Sequence, residues 1–480
     1  MNRFASVAKN SFFLLLTKIA SHGLYFGLMI YLARYLGSSE FGKLAFAIAF
    51  ATIIGLISDA GLKTYVQREV ARNYEVVSKY VSEALLVKSS LSLITFILIY
   101  LIINRLGYNK ETISIVYIIG LSVIINSFNI FGNFVFRAFE RTEYELITSL
   151  IGRISHVGLT IVVLFFDLSL TYICLAFLGG ALTNLFFCWY FLFKRITKFH
   201  LGIDISFWKL LIRNSWQFLL AEVFTEVYFR VDSVLLSIMK GDKEVGYYNA
   251  AYQLIEALVR LIPVSFASAM FPVLASTFVT SKKDFKNYFD KGINLLVILA
   301  FPFTIGTFLL SDSLIISIYG NGFIKSVGAI RILSFSLIFM FLNSLFLVTL
   351  CCINKQNIFS IITGVSAVVN IVSNLLLIPP LGYLGSSICT VLTEGVLFAS
   401  SIWFVHKYIS ISIDYSLILK SVAGSIIMGY VVFSLHSWSI LISILIGVII
   451  YFFSLFLLNA FKEDEKKILS RIFIGAGKLK

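Results

Sequence analysis

Long apolar runs dominate this chain and are separated by short polar segments. A helix needs about 20 mostly apolar residues to cross a membrane, and fourteen runs meet that length. They lie at about 11–36, 42–61, 82–103, 113–136, 144–166, 168–193, 214–238, 248–271, 288–310, 327–350, 358–378, 383–406, 416–435 and 438–459. The pattern therefore predicts an all-α polytopic membrane protein with fourteen transmembrane helices.

The composition supports this prediction. Of the 480 residues, 59% are hydrophobic and only 13% are charged, against about 25% charged residues in soluble domains. The first apolar run follows Arg3 and Lys9 but has no small-residue cleavage site, so we interpret it as the first transmembrane helix and not as a signal peptide. The five cysteines include no CxxC pair, which indicates packing thiols and neither a metal site nor disulfides.

The basic residues predict the orientation in the membrane. With both termini in the cytoplasm, the inside segments hold 24 of the 39 lysines and arginines and the outside loops hold five, as the positive-inside rule requires. We therefore expect a plasma-membrane protein whose net charge of +14 reflects topology, with no nucleic-acid partner. The tail from Lys462 is an amphipathic surface helix or a solvated basic end, and Lys63–Lys79 is predicted to lie along the inner membrane surface.

An internal repeat appears when the sequence is shifted by 204 residues. Lys9, Asn10 and Ser11 then align with Arg213, Asn214 and Ser215, and Gly37, Glu40 and Gly42 align with Gly241, Glu244 and Gly246. The first and seventh helices correspond, which predicts two six-helix lobes related by a pseudo-two-fold axis along the membrane normal, with the binding site between them. The predicted domains are 1–205, 206–410 and a final helix pair with its basic tail, 411–480.

Charged residues inside the seventh helix suggest a hydrated chamber. Glu222, Glu226 and Arg230 are four residues apart and form one stripe, and each would cost about 2.5–3.5 kcal/mol if it faced lipid at mid-membrane. The repeat aligns Lys18 with Glu222 and His22 with Glu226. We therefore predict that these side chains share a central chamber and that Lys18 pairs with Glu222.

The eighth helix carries further charges at matching depths. If it packs beside the seventh, Arg230 meets Glu256 and Glu226 meets Arg260, which predicts a ladder of structural ion pairs. The alternative is that these four are only mutually neutralised packing charges. Glu394, in the middle of the twelfth helix, is a second candidate for binding a coupling ion.

Arg153 and His156 share one face of the fifth helix, far from either end of the span. They either line the cavity or form a buried structural pair. The remaining charges near span ends are interpreted as interfacial anchors (Lys88, Arg331, Lys420) or as turn residues (Arg34, Asp59).

The sequence contains no catalytic motif that competes with transport. It lacks the G-x-x-x-x-G-K-[ST] phosphate loop, so we predict a non-enzyme without cofactor or metal. Transport would then depend on an ion gradient, the membrane potential or the substrate gradient.

Several segments resemble the polysaccharide transporter family, whose Wzx-type members flip repeat units of O-antigen, capsule and exopolysaccharide. They are YLARYLGSSEFGKLAFA (31–47), FRAFERTEYE (136–145), RVDSVLLSIMKGDKEVGYYNAAYQL (230–254), YGNGFIKSVGAIRIL (319–333) and NLLLIPPLGYLGSSICTVLTEG (374–395). The resemblance covers nearly the whole chain and places it in the superfamily of multidrug, oligosaccharidyl-lipid and polysaccharide (MOP) exporters. It implies two lobes around a central cavity, alternating access and a cargo of undecaprenyl-diphosphate-linked oligosaccharide.

The charged residues then receive roles. A diphosphate needs cations in the membrane, and Lys18, His22, Arg153, His156 and Arg260 are the candidates. Ion coupling or gating is assigned to Glu222, Glu226 and Glu394, with proton or sodium as the coupling ion. The expected partners are the lipid-linked cargo, membrane lipids and possible polymerase and chain-length proteins around a monomer. A cation-coupled multidrug exporter is the runner-up, followed by a lipid II flippase. The last two helices contain few basic residues, which argues against the lipid II flippase.

Overall fold

The computed structural model describes residues 3–200, 202–412, 414–435 and 438–460, without the side chains of residues 3–12, 14, 15, 18, 19 and 22. The basic tail from Lys462 lies outside this range. The described residues form helices and no strand, as the apolar pattern predicted. The α-helices are α1 Arg3–Gly55, α2 Leu62–Arg72, α3 Val77–Arg105, α4 Lys110–Ala138, α5 Thr142–Phe165, α6 Leu170–Arg195, α7 Ile205–Lys240, α8 Asp242–Leu261, α9 Pro263–Thr280, α10 Lys282–Leu309, α11 Ser311–Tyr319, α12 Ser326–Ser334, α13 Ser336–Cys352, α14 Gln356–Leu381, α15 Tyr383–Tyr408, α16 Tyr415–Ser434 and α17 Ile440–Leu457.

The helices and the predicted spans do not correspond one to one. The first two predicted spans lie on α1, which is bent at Gly37, where φ is 69°. Helices α12 and α13 meet at a 48° bend. By length and apolar character, 11 described segments can cross a membrane, or 12 if the bent pair is one span. The exact number of fourteen stays a prediction, partly because charges lower the apolar character of α7.

Short polar side chains fix where several helices begin. Asn109, Asp204, Ser281 and Asp414 each accept a hydrogen bond from a backbone N–H in the first turn of the helix that follows. Such caps satisfy donors that have no partner inside the helix. These caps mark the residues at which α4, α7, α10 and α16 begin.

The chain divides into two compact units. The first contains 1–249 and 367–383, and the second contains 250–366 and 384–480. The first unit thus includes α7, which the repeat assigns to the second lobe. A compact unit defined by contacts differs from a sequence repeat, so the boundaries at 205 and 410 stay predictions.

The core of the first unit lies where α2 packs among α3, α4, α6 and α7. Leu62, Tyr65, Val66 and Val70 form the buried face of α2, while its polar face carries charged residues. The segment Lys63–Lys79 therefore contains an amphipathic helix, while its position along the inner membrane surface stays a prediction. Burial of these apolar side chains attaches the connection between α1 and α3 firmly to the unit.

The second unit is organised differently. Met428, Val432 and Leu455 pack together from α16 and α17 against α10. The hydroxyl of Tyr451 donates a hydrogen bond of 2.5 Å to the carbonyl oxygen of Ile298, which satisfies a polar group inside an apolar interface. All five cysteines are thiols, as predicted.

Candidate functional site

Four charged side chains of alternating sign form a continuous chain inside the first unit. The ammonium group of Lys88 lies 2.7 Å from Asp59, Asp59 lies 3.4 Å from Lys63, and Lys63 lies 2.5 Å from Glu222. We call this set the charge chain. It connects α3, the turn before α2, α2 itself and α7, and its formal charge sums to zero.

Glycine 61 makes this arrangement possible. Its φ of 76° lies in the left-handed region, and a Cβ atom there would approach the carbonyl oxygen of Ser215 to 2.4 Å and the nitrogen of Leu219 to 2.7 Å. Only glycine allows the turn and the direct contact with α7 together. As a result, Lys63 in the first turn of α2 reaches Glu222 on α7.

The charge chain runs from a sealed interior to a more open end. Side-chain exposure rises from 0% at Lys88 through 5% at Asp59 and 17% at Lys63 to 24% at Glu222. Aromatic rings lie beside both ammonium groups, with Phe128 5.2 Å from that of Lys88. Such buried charges persist only when they are mutually paired.

Lys63 is the member that lies between two carboxylates. It lies beyond the apolar segment Gly23–Ser58. Burial alone would lower the pKa of Lys63, but the negative charges of Asp59 and Glu222 outweigh that effect and raise the pKa above its usual value. Lys63 therefore carries its charge throughout the physiological range.

The charge chain corrects one sequence interpretation and extends another. Lys88 is fully buried and paired, so its interpretation as an interfacial anchor is wrong. Asp59 does lie at a turn, but it also joins the two lysines. The sequence signal was the short separation of Asp59 and Lys63, because opposite charges on the two sides of a tight turn can pair.

The predicted partner of Glu222 was Lys18. The structure pairs Glu222 with Lys63, while the side chains of Lys18 and His22 lie outside the described residues. The Lys18–Glu222 pair therefore stays a prediction. Within the described part of the chain, Lys63 forms the ion pair with Glu222 of α7.

The charges of α7 and α8 pair along their own helices. Arg230 donates to Glu226 at 2.8 Å, and Arg260 donates to Glu256 at 2.6 Å. Their side chains remain between 31% and 51% exposed. The predicted Arg230–Glu256 and Glu226–Arg260 ladder stays a prediction, and the observed pairs show how each helix neutralises its charges locally.

Arg153 and His156 have different surroundings although they share α5. The guanidinium group of Arg153 lies over the ring of Tyr25 on α1, with 4.8 Å to the ring centroid. His156 is buried against α6, its ring 4.0 Å from that of Phe177, and its Nε2 atom has no hydrogen-bond partner among the described residues.

Glu394 is buried on α15. It accepts a hydrogen bond of 2.9 Å from the amide of Asn343 on α13. Both residues belong to the second unit, so this carboxylate is held by a neighbouring helix of that unit.

A further buried carboxylate lies on α7, and one of its partners lies far from it in the sequence. Asp232 on α7 accepts hydrogen bonds from the hydroxyl of Tyr248 at 2.7 Å and from the amide of Asn374 at 2.5 Å. The same amide of Asn374 contacts Asn370. Sequence spacing cannot reveal this cluster because Asn374 is 142 residues from Asp232. Among the residues that the structure describes, no group of three His, Cys, Asp or Glu residues could hold a metal ion.

The helices and their paired internal charges define a multi-pass membrane protein with the fold of the MOP exporters. The chain overlays a lipid II flippase MurJ in an inward closed conformation with a TM-score of 0.75 at 17% identity, covering 97% of this chain and 100% of that one. It also overlays an inward-facing multidrug MATE transporter with a TM-score of 0.67 at 14% identity, covering 84% and 98%.

Sequence comparison identifies the family. The profile described as "Polysaccharide biosynthesis protein" matches residues 7–278, and the chain belongs to this family, within the MOP superfamily. The profile of the lipid II flippase MurJ matches residues 229–465. The chain is 22% identical to a probable low-salt glycan biosynthesis flippase, Agl15 of Haloferax volcanii, over 97% of this chain and 99% of the relative.

Proposed function

We infer that this protein is a flippase of the MOP superfamily, and we propose that it moves an undecaprenyl-diphosphate-linked oligosaccharide from the inner to the outer leaflet of the plasma membrane. The family match and the likeness to a probable glycan flippase support a lipid-linked glycan. Both termini would be cytoplasmic, as the distribution of lysine and arginine predicts. The protein needs no enzymatic step for this task.

The observation that carries the proposal is the placement of charges in the middle of α7. Glu226 and Arg230 pair with each other but remain about one third exposed. A lipid-facing position would be costly for both groups, so we infer that they face a hydrated compartment. A wet compartment of this kind would accept a charged, sugar-bearing headgroup that hydrocarbon excludes.

The diphosphate would be bound by the remaining cations. We assign this role to Arg153, Lys18, His22 and Arg260, with Arg153 oriented by the ring of Tyr25. Arginine binds phosphate oxygens through paired hydrogen bonds. His156 stays a weaker candidate because of its burial.

Entry of cargo from the inner side would involve the charge chain. Lys63–Glu222 is its most exposed link, and it joins α2 to α7. We propose that this link opens to admit cargo and closes behind it. A role for Lys18 at the same carboxylate is compatible with this, since Glu222 would exchange partners between states.

Ion coupling, by proton or sodium, would use a carboxylate that changes its partners. Glu222 and Glu394 are the candidates, with Glu226 beside the first. If Glu222→Gln and Glu394→Gln variants keep the normal dependence of flipping on imposed pH and sodium gradients, this assignment is wrong.

A lipid II flippase is the second candidate, supported by the MurJ profile match over residues 229–465. A cation-coupled drug exporter is the third. We expect polymerase and chain-length proteins as partners of the glycan flippase, which would act as a monomer.

The test uses the purified protein in liposomes. An undecaprenyl-diphosphate-linked oligosaccharide with a fluorescent label on its glycan is reconstituted in both leaflets, and a membrane-impermeant quencher reads its movement. We expect quenching beyond one half only with the protein present, and faster than with labelled lipid II. Equal or faster movement of lipid II, or export of cationic dyes without glycan movement, would overturn the proposed cargo.

A further inference from the structure

Two helices cross with their backbones in direct contact at a pair of glycines. A Cβ atom on Gly42 of α1 would lie 1.8 Å from the carbonyl oxygen of Asp242 and 2.9 Å from the nitrogen of Gly246. A Cβ atom on Gly246 of α8 would lie 1.9 Å from the carbonyl oxygen of Ser38. No side chain fits at either position. We call this contact the glycine crossing.

The glycine crossing is reciprocal. The shift of 204 residues relates Gly42 to Gly246 and Ser38 to Asp242. Gly42 therefore contacts Asp242, and its counterpart Gly246 contacts Ser38, the counterpart of Asp242. Two equivalent surfaces meet in this way only across a two-fold axis, so the pseudo-symmetry axis predicted from the repeat would pass through the crossing.

The turns that precede the crossing are also equivalent. Gly37 has φ 69° and ψ 175°, and Gly241, its counterpart in the repeat, has φ 88° and ψ 173°. Both values of φ favour glycine. The same turn thus precedes each of the two helices that meet at the glycine crossing. The glycine crossing is therefore a feature of the repeat itself.

The glycine crossing follows the C-terminal end of α7, whereas Glu222 of the charge chain lies near the middle of this helix. Glu222 and Gly241 are separated by 19 residues, or about 28 Å at 1.5 Å per residue, which is close to the thickness of the hydrocarbon layer. The first six helices therefore contact α7 near its middle and at the turn that follows its end. With cytoplasmic termini, the crossing lies on the outer face.

We propose that the glycine crossing is the outer seal of the transport path and that its two backbones separate when cargo leaves. This rests on the proposed function as an alternating-access flippase. The contact suits a seal because backbone on backbone leaves no gap, while contacts of carbonyl oxygens with Cα atoms are individually weak. Side chains interlocked across the axis would separate less easily.

The competing possibility is a permanent pivot that never separates. A cysteine at Ser38, which is buried at the crossing, distinguishes the two. It is introduced into a chain whose five native cysteines are replaced, and sealed vesicles of both orientations are treated with a membrane-impermeant maleimide. Labelling from one side only then reports which face opens.

The first measurement uses an added methyl group, here called the wedge, to separate the two backbones. Gly42→Ala places a methyl group against the backbone of α8, so we expect Ser38→Cys to be labelled at least fivefold faster from one side. Gly27→Ala is the matched control, because it lies on the same helix with open space around its Cβ position and should change labelling less than twofold. Equal rates in the two variants would overturn the seal. Gly246→Ala replaces Gly42→Ala if that variant does not fold.

The second measurement keeps both glycines. Labelling of Ser38→Cys is compared with and without lipid-linked oligosaccharide under transport conditions. A seal predicts at least threefold faster labelling during turnover, whereas an unchanged rate during measured flipping means that the crossing is a pivot and that the proposal is wrong. The wedge measurement needs no cargo, so a mistaken cargo assignment cannot be confused with failure of the seal.

Discussion

The ammonium group of Lys63 lies 2.5 Å from the carboxylate of Glu222, although the two residues are 159 positions apart in the chain. This pair joins an amphipathic helix between the first apolar segments to the helix on which transport is proposed to depend. It is also the most exposed link of a charge chain whose other end is sealed from solvent.

Removing one member of the Lys63–Glu222 pair should cost more than removing both. Lys63→Gln leaves Glu222 without this partner and Asp59 with one lysine fewer, and breaking a buried pair costs about 3–5 kcal/mol. We expect Lys63→Gln to lower the melting temperature more than Glu222→Gln, because Lys63 contacts two carboxylates. The double variant should recover part of the loss. Thermal unfolding in detergent measures all three, and strictly additive losses would contradict the direct pairing.

Gly61→Ala should separate α2 from α7. The new Cβ atom would meet the backbone of Ser215 and Leu219, in addition to the strain of a left-handed residue, which is about 1–2 kcal/mol. Gly107→Ala is the control, since Gly107 has the same φ of 76° but open space around it. We expect the control to fold with a small loss and Gly61→Ala to lose most of its flipping activity. Similar losses would mean that backbone strain alone matters.

The contribution of Lys63 to stability should not vary between pH 6 and pH 9. Its pKa is raised above the usual value of 10.5 in the folded protein, so the contribution is complete below the unfolded pKa and is lost only as pH rises through the folded one. The measurement is the difference in melting temperature between the wild type and Lys63→Gln at both pH values. A difference that shrinks markedly by pH 9 would show that Lys63 loses its proton in this range.

Asp232→Asn should destabilise the protein more than Tyr248→Phe. The asparagine would turn an NH₂ group toward the donors of Tyr248 and Asn374, and an unsatisfied buried polar group costs about 1–3 kcal/mol. Tyr248→Phe removes only one donor from the same carboxylate and should cost about 1 kcal/mol. Chemical denaturation of the purified variants gives the order. The reverse order would show that Tyr248 matters mainly through its packing.

Arg153 should affect the affinity for cargo and not the fold. Arg153→Lys keeps the charge but loses the paired geometry with which arginine binds phosphate, so we expect half-saturation at a several-fold higher cargo concentration. Arg153→Gln should raise the cargo concentration at half-saturation further. Initial flipping rates at varied cargo density give the values, and a decrease in maximal rate at unchanged half-saturation would argue against cargo binding by Arg153.

The sequence predicted the helical membrane fold because apolar runs of sufficient length have few other stable structures. It also located the charged stripe of α7, since Glu226 and Arg230 need only helical spacing to meet. It did not find the charge chain, because Lys88 and Glu222 become neighbours of the Asp59 turn only through tertiary packing. Lys88 was misinterpreted because distance from a span end does not show whether a lysine points outward or into the protein.

The 204-residue shift was more informative than any single motif. It aligned Gly42 with Gly246 before their contact was known, although nothing in a glycine's sequence context reveals which backbone it touches. By contrast, the shift aligned Lys18 with Glu222, whose described partner is Lys63. The Lys18–Glu222 pair itself stays a prediction.

The order of charges in the charge chain also bears on how the protein is made. Asp59 and Lys88 are synthesised close together, so α3 can enter the bilayer with that lysine already neutralised. Glu222 leaves the ribosome 159 residues after Lys63. Until α7 is made, Lys63 can pair only with Asp59, which also pairs with Lys88. Ribosome-bound nascent chains that end before residue 222 should therefore hold α2 more loosely than chains that extend beyond it.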